Sequence, residues 1–441
     1  MTINFDRHFP RFESDRQQVP IWCLTPHEGR CTHRFFDTSP ISPSGRYVAL
    51  LRFPFEDHLS APGDVAHVIL IDLETGDETV VAETRGWEFQ LGANLNWGGG
   101  DHELFFNDVD TSTWTPFAWK LDPLTGQRLR LEGTVYHASP NGRLLISSNL
   151  VTTRKTQCGY GVCLPEAMLP PLRVGPLEDD GFWITDTRTG KSRLLISTKT
   201  IFDRLSAELS TPNVDPDRSE IAGFHSKFNP QGDALMLSLR WFSAAEEAGW
   251  DMFKKDFNAV QYAWVTLRID PVTGEADLST LRCATGSKLW QKHGHHGTWF
   301  PDGRRISQNL AINGNADGLR FVQVNADGSG LGIIPGTETL PGSGHPTMHP
   351  DDRHILTDSY PREPVAYGDG TVPLRWIDLR TGEETHLARV NALNPAEVIH
   401  SSLRCDPHPA WDRTFRYVVF NGMDKDVRRV YIADLTSMID H

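Results

Sequence analysis

Four histidines recur at one position of a repeated sequence pattern. Each stands three residues before the apolar residue of a turn of the type x-Pro-x-Gly, and the four are His225, His296, His345 and His408. Histidine accounts for 18 of the 441 residues, so four histidines at seven equivalent positions exceed what chance would place there. Imidazole is the commonest metal ligand and titrates nearest to neutral pH. The pattern therefore predicts a metal site or an acid–base centre.

Charged residues close to these histidines extend the candidate site. Asp406 precedes His408 by two residues, and residues two apart in a strand share a face. A mixed set of imidazole and carboxylate suits Mn, Zn, Fe or Ni, and the residue types alone do not choose among them. Three cations are candidates for holding an anionic ligand, with a surface role as the alternative for each: Arg34, Lys227 and Arg404.

Further polar residues lie near other inner strands. The candidates there are His33, Gln90 and Tyr136, together with Tyr160 in the insertion QCGYGVC as a phenol catalyst. His295 directly precedes His296, and strand alternation places it on the opposite face unless GHHG is a bent start of a strand.

The histidines belong to a chain built of repeats. A second turn signature, Asp-x-x-Thr-Gly, recurs within 71–76, 121–126, 185–190, 269–274 and 377–382, with a β run on either side. Glycine supplies the positive φ of a tight turn, and aspartate bonds to its own turn. The signature therefore indicates hairpins, and the x-Pro-x-Gly turns interleave with them.

Together the two signatures divide the chain into seven units of four short strands. Radial repetition of four-stranded sheets is the β-propeller architecture. We therefore predict an all-β, seven-bladed β-propeller, with residues 1–441 as a single domain. The last unit lacks an outer strand, and VPIWCLTP at 19–26 resembles the outer strands of other units. We expect this segment to complete the last blade.

Two insertions interrupt the repeat, at 150–181 and 240–262. We expect both to be loops that shape one mouth of the central channel. The segment WFSAAEEAGWDMFKKDF, at 241–257, is the only one with a helical pattern.

Composition excludes several classes of protein. The net charge is −14, from 43 Lys and Arg against 57 Asp and Glu, which disfavours a nucleic-acid partner. No run of about 18 apolar residues is present, so we expect no membrane partner. The N-terminus has no apolar leader, and we expect a cytoplasmic location. The sequence has no G-x-S-x-G, which disfavours a propeller-capped serine hydrolase. The oligomeric state is left open.

The segments around the last three histidines resemble a known family. GHHGTWFPDG (294–303), SGHPTMHPDD (343–352) and DPHPAWD (406–412) resemble the corresponding blades of oligogalacturonate lyase-like proteins, which are seven-bladed propellers of the TolB-like group. The likeness covers most of the chain as architecture and blades five to seven as motifs. It implies a carbon–oxygen lyase that cleaves the bond to galacturonate or glucuronate in an oligosaccharide by β-elimination, which leaves an unsaturated uronate.

The resemblance also implies residue roles. His296 matches the catalytic base, with His225 as the alternative. His345 matches a ligand of a divalent metal, usually manganese, with Ca²⁺ or Zn²⁺ as alternatives. The blade-seven motif Gln-x-x-His-x-His reads LRCDPH at 403–408, so His408 is retained while Asp406 replaces the middle histidine.

For such a substrate, the contacts that we expect from the residues themselves are Arg34, Gln90, Lys227, Arg404 and Tyr160. The arginine that the family takes from blade four has no match near Tyr262. HRFFDTSP, SPSGRY and GTVPLRWIDL are similar to a branch of propeller lyases that release rhamnose from glucuronate, the L-rhamnose-α-1,4-D-glucuronate lyases.

Two alternatives remain at this stage. One is a non-enzymatic TolB-like propeller that binds a protein or glycan, which would not explain the repeated histidine position. The other is a different metal-dependent carbohydrate reaction, such as hydrolysis or epimerisation, at the same residues.

Overall fold

A computed structural model describes residues 3–210, 214–243, 260–290 and 293–439. In these ranges the chain forms seven four-stranded antiparallel sheets, which confirms the seven-bladed β-propeller. The first strand in the chain is β1 (Ile21–Cys23). The strands of blades 1 to 3 are β2 (Cys31–Thr32), β3 (Tyr47–Arg52), β4 (Ala66–Asp72), β5 (Glu78–Thr84), β6 (Asn96–Trp97), β7 (Leu104–Asp110), β8 (Thr115–Leu121), β9 (Arg128–Leu131), β10 (His137–Ala138), β11 (Leu144–Ser148), β12 (Gly181–Asp186) and β13 (Ser192–Ser197).

Blades 4 to 7 follow the same order from the channel outwards. Their strands are β14 (Ser219–Phe228), β15 (Ala234–Ser243), β16 (Gln261–Ile269), β17 (Ala276–Thr285), β18 (Gly294–Trp299), β19 (Arg305–Leu310), β20 (Arg320–Asn325), β21 (Gly332–Ile333), β22 (Thr347–Met348), β23 (His354–Thr357), β24 (Thr371–Asp378), β25 (Glu383–Asn391), β26 (Ala410–Trp411), β27 (Tyr417–Asp424) and β28 (Val427–Asp434).

The N-terminal strand closes the ring, as the sequence predicts. In blade 7, β1 pairs antiparallel with β28, and Ile21 lies opposite Ala433. Ile21 is fully buried and belongs to the apolar cluster between blades 6 and 7. The first and last parts of the chain are therefore held in one sheet.

The apolar core lies between neighbouring blades. Ile146 of blade 3 and Leu237 of blade 4 share one cluster, and Trp376 of blade 6 and Phe420 of blade 7 share another. Strands packed on both faces need apolar residues on both faces. This explains why inner strands such as β14 are buried along their whole length instead of alternating.

The two turn signatures lie at one end of the blades, because the four strands of each blade alternate in direction. In the first hairpin, Gly76 has a φ of +78°, and the Asp72 side chain accepts a hydrogen bond from the Glu74 N–H at 2.9 Å. We call this the turn end. The longer connections, including 149–180 and 358–370, leave the strands at the opposite end, which we call the connection end.

Helices also form outside the one segment that the sequence predicts to be helical. In the described ranges the α-helices are α1 (Leu150–Thr156), α2 (Thr198–Arg204), α3 (Ser206–Leu209), α4 (Ser287–Trp290) and α5 (Thr436–Ile439). Single 3-10 turns are found at Phe5–Arg7, Glu166–Met168, Pro216–Arg218, Asn315–Asp317, Pro395–Val398 and Ser401–Leu403. Of the segment 241–257, residues 241–243 belong to β15, and the remainder lies outside the described residues.

The insertion at 150–181 is thus not a loop throughout. Helix α1 forms because the Asn149 side chain accepts a hydrogen bond from the Val151 N–H at 3.1 Å. Leu150 then packs with Val162 and Leu164. The insertion at 240–262 is also shorter than expected, since β15 and β16 extend into it. No helix of the described ranges is long and apolar enough to span a membrane.

Replacing Ile21 by alanine tests the ring closure. The substitution leaves a cavity between blades 6 and 7, so we expect the free energy of unfolding to fall by about 2–5 kcal/mol. Val80→Ala in the outer strand β5 is the control, because Val80 is 49% exposed and its loss should cost less than about 0.5 kcal/mol. Denaturant titrations measure both values. Equal stability of the two variants would contradict the role of β1.

Candidate metal centre and active site

The inner strands are irregular where the repeated histidines lie. The pairing register shifts between Gly223 and Ser226 in β14, and between His295 and Thr298 in β18. His296 and His408 have φ values of +52° and +49°, in the left-handed region that non-glycine residues seldom adopt. Such bulges re-aim side chains. Here they place imidazoles inside the channel.

Strand alternation consequently fails beside His296. The Nδ1 atoms of His295 and His296 lie 2.8 Å apart, and their ring centroids are separated by 4.4 Å. The expectation that His295 points to the opposite face is therefore wrong. The bent start of the strand, given above as the alternative, is the conformation found.

Three predicted metal ligands come together. One side-chain ligand atom from each of His345, Asp406 and His408 lies within 4.8 Å of the others. All three residues are buried, and the His345 and His408 ring centroids are 4.3 Å apart. Neither ring nitrogen of His408 has a hydrogen-bond partner among the described residues. Because buried polar atoms are normally paired, these nitrogens and the donor set fit a divalent cation.

Asp358 orients this group. Its carboxylate oxygens lie 2.8 and 3.0 Å from Nδ1 of His345. The backbone N–H groups of His345 and His408 also donate to Asp358, at 2.7 and 3.0 Å. Nδ1 of His345 thus donates to the carboxylate, which leaves Nε2 free to coordinate. A carboxylate behind a histidine is the usual arrangement at metal sites.

His296 lies next to this group but outside it. Its ring centroid is 4.0 Å from that of His345. Nδ1 donates to the carbonyl oxygen of Gly344 at 2.8 Å, so Nε2 carries the lone pair and lies 3.2 Å from the Tyr360 hydroxyl. Burial, together with the neighbouring His345, holds the pKa of His296 well below its usual value. A neutral imidazole with an available lone pair can act as a general base.

Tyr360 connects the two histidines. Its hydroxyl lies 3.4 Å from Nε2 of His345 as well as 3.2 Å from Nε2 of His296. Burial, followed by the charge of Asp406, raises the pKa of Tyr360 well above its usual value. The phenol is therefore neutral and can donate a hydrogen bond.

The fourth repeated histidine is separated from the others. His225 bonds through Nδ1 to the hydroxyl of Tyr136, and its ring stacks on Trp264. Phe35 lies between, with its centroid 5.5 Å from His225 and 4.7 Å from His408. Phe35 thus contacts His225 on blade 4 as well as the group formed by His345, Asp406 and His408, which we call the metal group.

The segment that carries Phe35 lies against the repeated histidines. Residues 33–38, HRFFDT, interrupt the inner strand of blade 1, and Phe35 and Phe36 are both buried. Phe36 lies 5.1 Å from His345 between ring centroids. We call residues 33–38 the channel insert.

Two predicted substrate contacts are held by one carboxylate in the insert. Asp37 pairs with Arg34 at 2.9 Å and with Lys227 at 2.5 Å. Lys227 also donates to the carbonyl oxygen of Gly297 at 2.6 Å. Although burial alone would raise it, the pKa of Asp37 lies well below its usual range because of Lys227 and Arg34. The single negative charge of Asp37 thus offsets one of the two positive charges.

The remaining predicted contacts meet at the connection end. Nε of Arg404 donates to Asp406 at 2.8 Å, and Nη2 donates to the Tyr160 hydroxyl at 3.2 Å. Gln90 donates from Nε2 to the carbonyl oxygens of Ser402 and Arg404, at 2.8 and 3.1 Å. Gln90, Tyr160 and Arg404 therefore form one wall beside Asp406.

Sequence reasoning missed two further groups. Arg240 of β15 lies opposite Tyr262 in β16, so a blade-four arginine is present on the strand next to the one where it was expected. Its guanidinium donates to Gln157 at 2.8 Å and lies over the Phe224 ring. Glu363 lies 4.0 Å from Nε2 of His295, and burial raises the pKa of Glu363 to about 7. The sequence repeat does not point to Glu363, because this residue lies in a connection that has no equivalent in the other blades.

The turn end of the channel holds a separate cavity of about 330 Å³. Phe36, Asp37 and Lys227 line it, together with Trp97 and Trp299. Because Phe36 and Asp37 belong to the channel insert, the insert stands between this cavity and the metal group.

No protein-family model and no curated protein sequence matches the chain. Among solved structures, an oligogalacturonate lyase from Vibrio parahaemolyticus superposes with a TM-score of 0.59 and 13% identity, covering 98% of this chain and 97% of that one. An oligogalacturonate lyase in complex with manganese gives the same values. A puromycin-hydrolysing peptidase from Mycobacterium tuberculosis has a TM-score of 0.52 and 12% identity, with 97% of this chain and 55% of that chain covered. These likenesses show the fold, so the chain shares its seven-bladed β-propeller with the oligogalacturonate lyases.

Proposed function

We propose that the protein is a metal-dependent lyase that cleaves the glycosidic bond to a uronic acid in an oligosaccharide by β-elimination. The observation that carries the proposal is the position of His296, a neutral imidazole whose Nε2 lies beside the group of His345, Asp406 and His408. The superposition on an oligogalacturonate lyase in complex with manganese supports the same assignment.

The reaction needs a base and a means of neutralising charge. The proton next to a uronate carboxylate is weakly acidic while the carboxylate is charged. A divalent ion bound by His345, Asp406 and His408 would neutralise that carboxylate and stabilise the charge that develops as the proton leaves. Manganese is the metal that the resemblance favours, and Ca²⁺ and Zn²⁺ are the alternatives to test.

The chain's own residues then move the proton. Nε2 of His296 takes it, and the electrons of the broken C–H bond form the new C=C bond. The C–O bond on the next carbon breaks, its electron pair leaves with the glycosidic oxygen, and water supplies the proton that this oxygen takes up. The hydrogen bond from Nδ1 of His296 to Gly344 fixes the tautomer in which Nε2 is the acceptor. The Tyr360 hydroxyl lies 3.2 Å from the same Nε2, at the place that the C–H group of the substrate would take.

The substrate would reach the site at the connection end. Arg404, Tyr160 and Gln90 lie there beside Asp406. Arg34 and Lys227 lie deeper, on the channel insert and on β14. Both pair with Asp37, and the positive charge that Asp37 does not offset would attract the uronate. Galacturonate oligomers and rhamnose-capped glucuronates are the two substrate classes to compare.

Activity and metal dependence can be measured together. We expect ultraviolet absorbance of a conjugated unsaturated uronate to rise with at least one member of a panel of galacturonate oligomers and rhamnose-capped glucuronates. A chelator should abolish the rise, and added Mn²⁺ should restore it. A rise that resists the chelator would remove the metal from the proposal. No rise with any uronate would favour a binding propeller, and a saturated product would indicate hydrolysis or epimerisation.

Replacing His296 by glutamine tests the base. Loss of the general base should lower kcat by about 10²–10⁴-fold, because glutamine cannot accept the proton, while the metal content is unchanged. His225→Gln is the matched comparison, since His225 is also buried in the channel but lies beyond Phe35. Activity near wild type in His296→Gln, with a large loss in His225→Gln, would move the base to His225.

Asp358→Asn tests the orientation of the metal group. The amide can still accept a hydrogen bond but lacks the charge behind His345, so we expect Mn²⁺ to bind about 10–100-fold more weakly. Equilibrium dialysis measures the affinity, and circular dichroism monitors the fold. Asp369→Asn is the control at a half-exposed carboxylate. Unchanged Mn²⁺ affinity in a folded Asp358→Asn protein would show that this carboxylate does not serve the metal site.

A further inference from the structure

A second group of histidines and a carboxylate lies at the turn end of blade 6. The turn between β22 and β23 places a ligand atom from each of His349, Asp351 and His354 within 4.8 Å of the others. Nδ1 of His354 is 2.6 Å from Oδ2 of Asp351, and Nδ1 of His349 is 3.0 Å from the same oxygen. Both imidazoles are buried, whereas the Asp351 side chain is 30% exposed. The two imidazole nitrogens thus face a carboxylate that solvent can reach.

The hydrogen bonds of His349 leave Nδ1 as an acceptor beside this carboxylate. Nε2 lies 3.2 Å from the carbonyl oxygen of Phe415, which can only accept, so Nε2 carries a proton and donates it. The N–H of Asp351 points at Nδ1 over a long 3.3 Å, which agrees with that tautomer. Nδ1 and Oδ2 of Asp351 are then two acceptors 3.0 Å apart, and they repel. A cation bound to both atoms turns this repulsion into attraction. It also displaces, to solvent, the proton that Nδ1 of His354 donates to Oδ2 at 2.6 Å.

The turn itself does not need either imidazole. In blade 4 the position of His349 is occupied by Asn229, whose side-chain oxygen accepts a hydrogen bond from the N–H of Ala234 at 3.0 Å. In blade 1 the position of His354 is occupied by Tyr47. The same turn therefore forms with ordinary residues at both places, and the two histidines of blade 6 are additional to it.

We propose that His349, Asp351 and His354 bind a divalent transition-metal ion such as Zn²⁺, at a site distinct from the channel. Two imidazoles and a carboxylate suit this class of ion, and water can complete the coordination on the exposed side of Asp351. The ion is structural, because both rings pack at the seam of blades 6 and 7. His354 stacks on Trp376, and His349 packs against Trp411 of blade 7.

Counting bound ions tests the site directly. The full-length protein is stripped with a chelator, dialysed against Zn²⁺, and its zinc content is measured. His349→Asn and His354→Tyr are the variants, since asparagine and tyrosine occupy these positions in other blades. Each variant should bind one Zn²⁺ fewer than wild type, and the part of the zinc-dependent rise in unfolding temperature that comes from this site should be lost. His102→Ala removes an exposed histidine that faces Asp122 at 3.1 Å, and it should keep the wild-type count.

The outcome does not depend on the channel site. His408→Ala should lose any ion held in the channel and retain the ion of blade 6. If the channel binds no ion, wild type and the blade 6 variants each bind one Zn²⁺ fewer. The difference in zinc content between them stays the same. Wild-type zinc content in folded His349→Asn and His354→Tyr proteins would overturn the proposal. Should a variant not fold, crystals of the wild-type protein grown with Zn²⁺ decide the matter. An anomalous peak between the three side chains supports the site, and its absence there refutes it.

Discussion

The site depends on the buried carboxylate of Asp37. Arg34 lies on the same segment of blade 1, and Lys227 lies across the channel on blade 4, so Asp37 ties the insert to the opposite wall. Removing one partner of such a buried pair typically costs about 3–5 kcal/mol, because a charge is left uncompensated. Together with the apolar packing of Phe35 and Phe36 against Tyr136, Tyr160 and Phe224, this link holds the insert against the histidines. The surroundings of the imidazoles thus depend in part on an ion pair in which none of them takes part.

The second constraint is local strain in the inner strands. A regular strand would send alternate side chains to opposite faces. His296 and His408 instead adopt positive φ, a conformation that costs of order 1–3 kcal/mol for residues other than glycine. The packing between blades compensates for this cost, because the strands on either side are buried on both faces. The packing of the propeller therefore stabilises the strained bulges, and these bulges direct the imidazoles into the channel.

The repeat explains which parts could be predicted from the sequence. The blades, the closing strand and the meeting of His345, Asp406 and His408 all follow from equivalent positions in neighbouring units. Asp358 and Tyr360 escaped prediction because they lie in a connection that has no equivalent in other blades. The position of His225 could not be predicted from the repeat either. His225 shares the register of the other histidines, but Phe35 of the channel insert separates it from them. Helix α1 was not predicted for a simpler reason, because its seven residues are too few to show a clear helical periodicity.

The two ends of the propeller consequently serve different purposes. At the turn end, tight turns recur from blade to blade, so a departure such as the histidine pair of blade 6 is visible against the other copies. At the connection end, unrepeated segments bring Tyr160, Tyr360 and Arg404 to the metal group, and no internal comparison reveals them. Phe36 and Asp37 stand between this group and the cavity at the turn end. On the proposed function, a substrate would therefore reach His296 from the connection end, where the lining residues are not specified by the repeat.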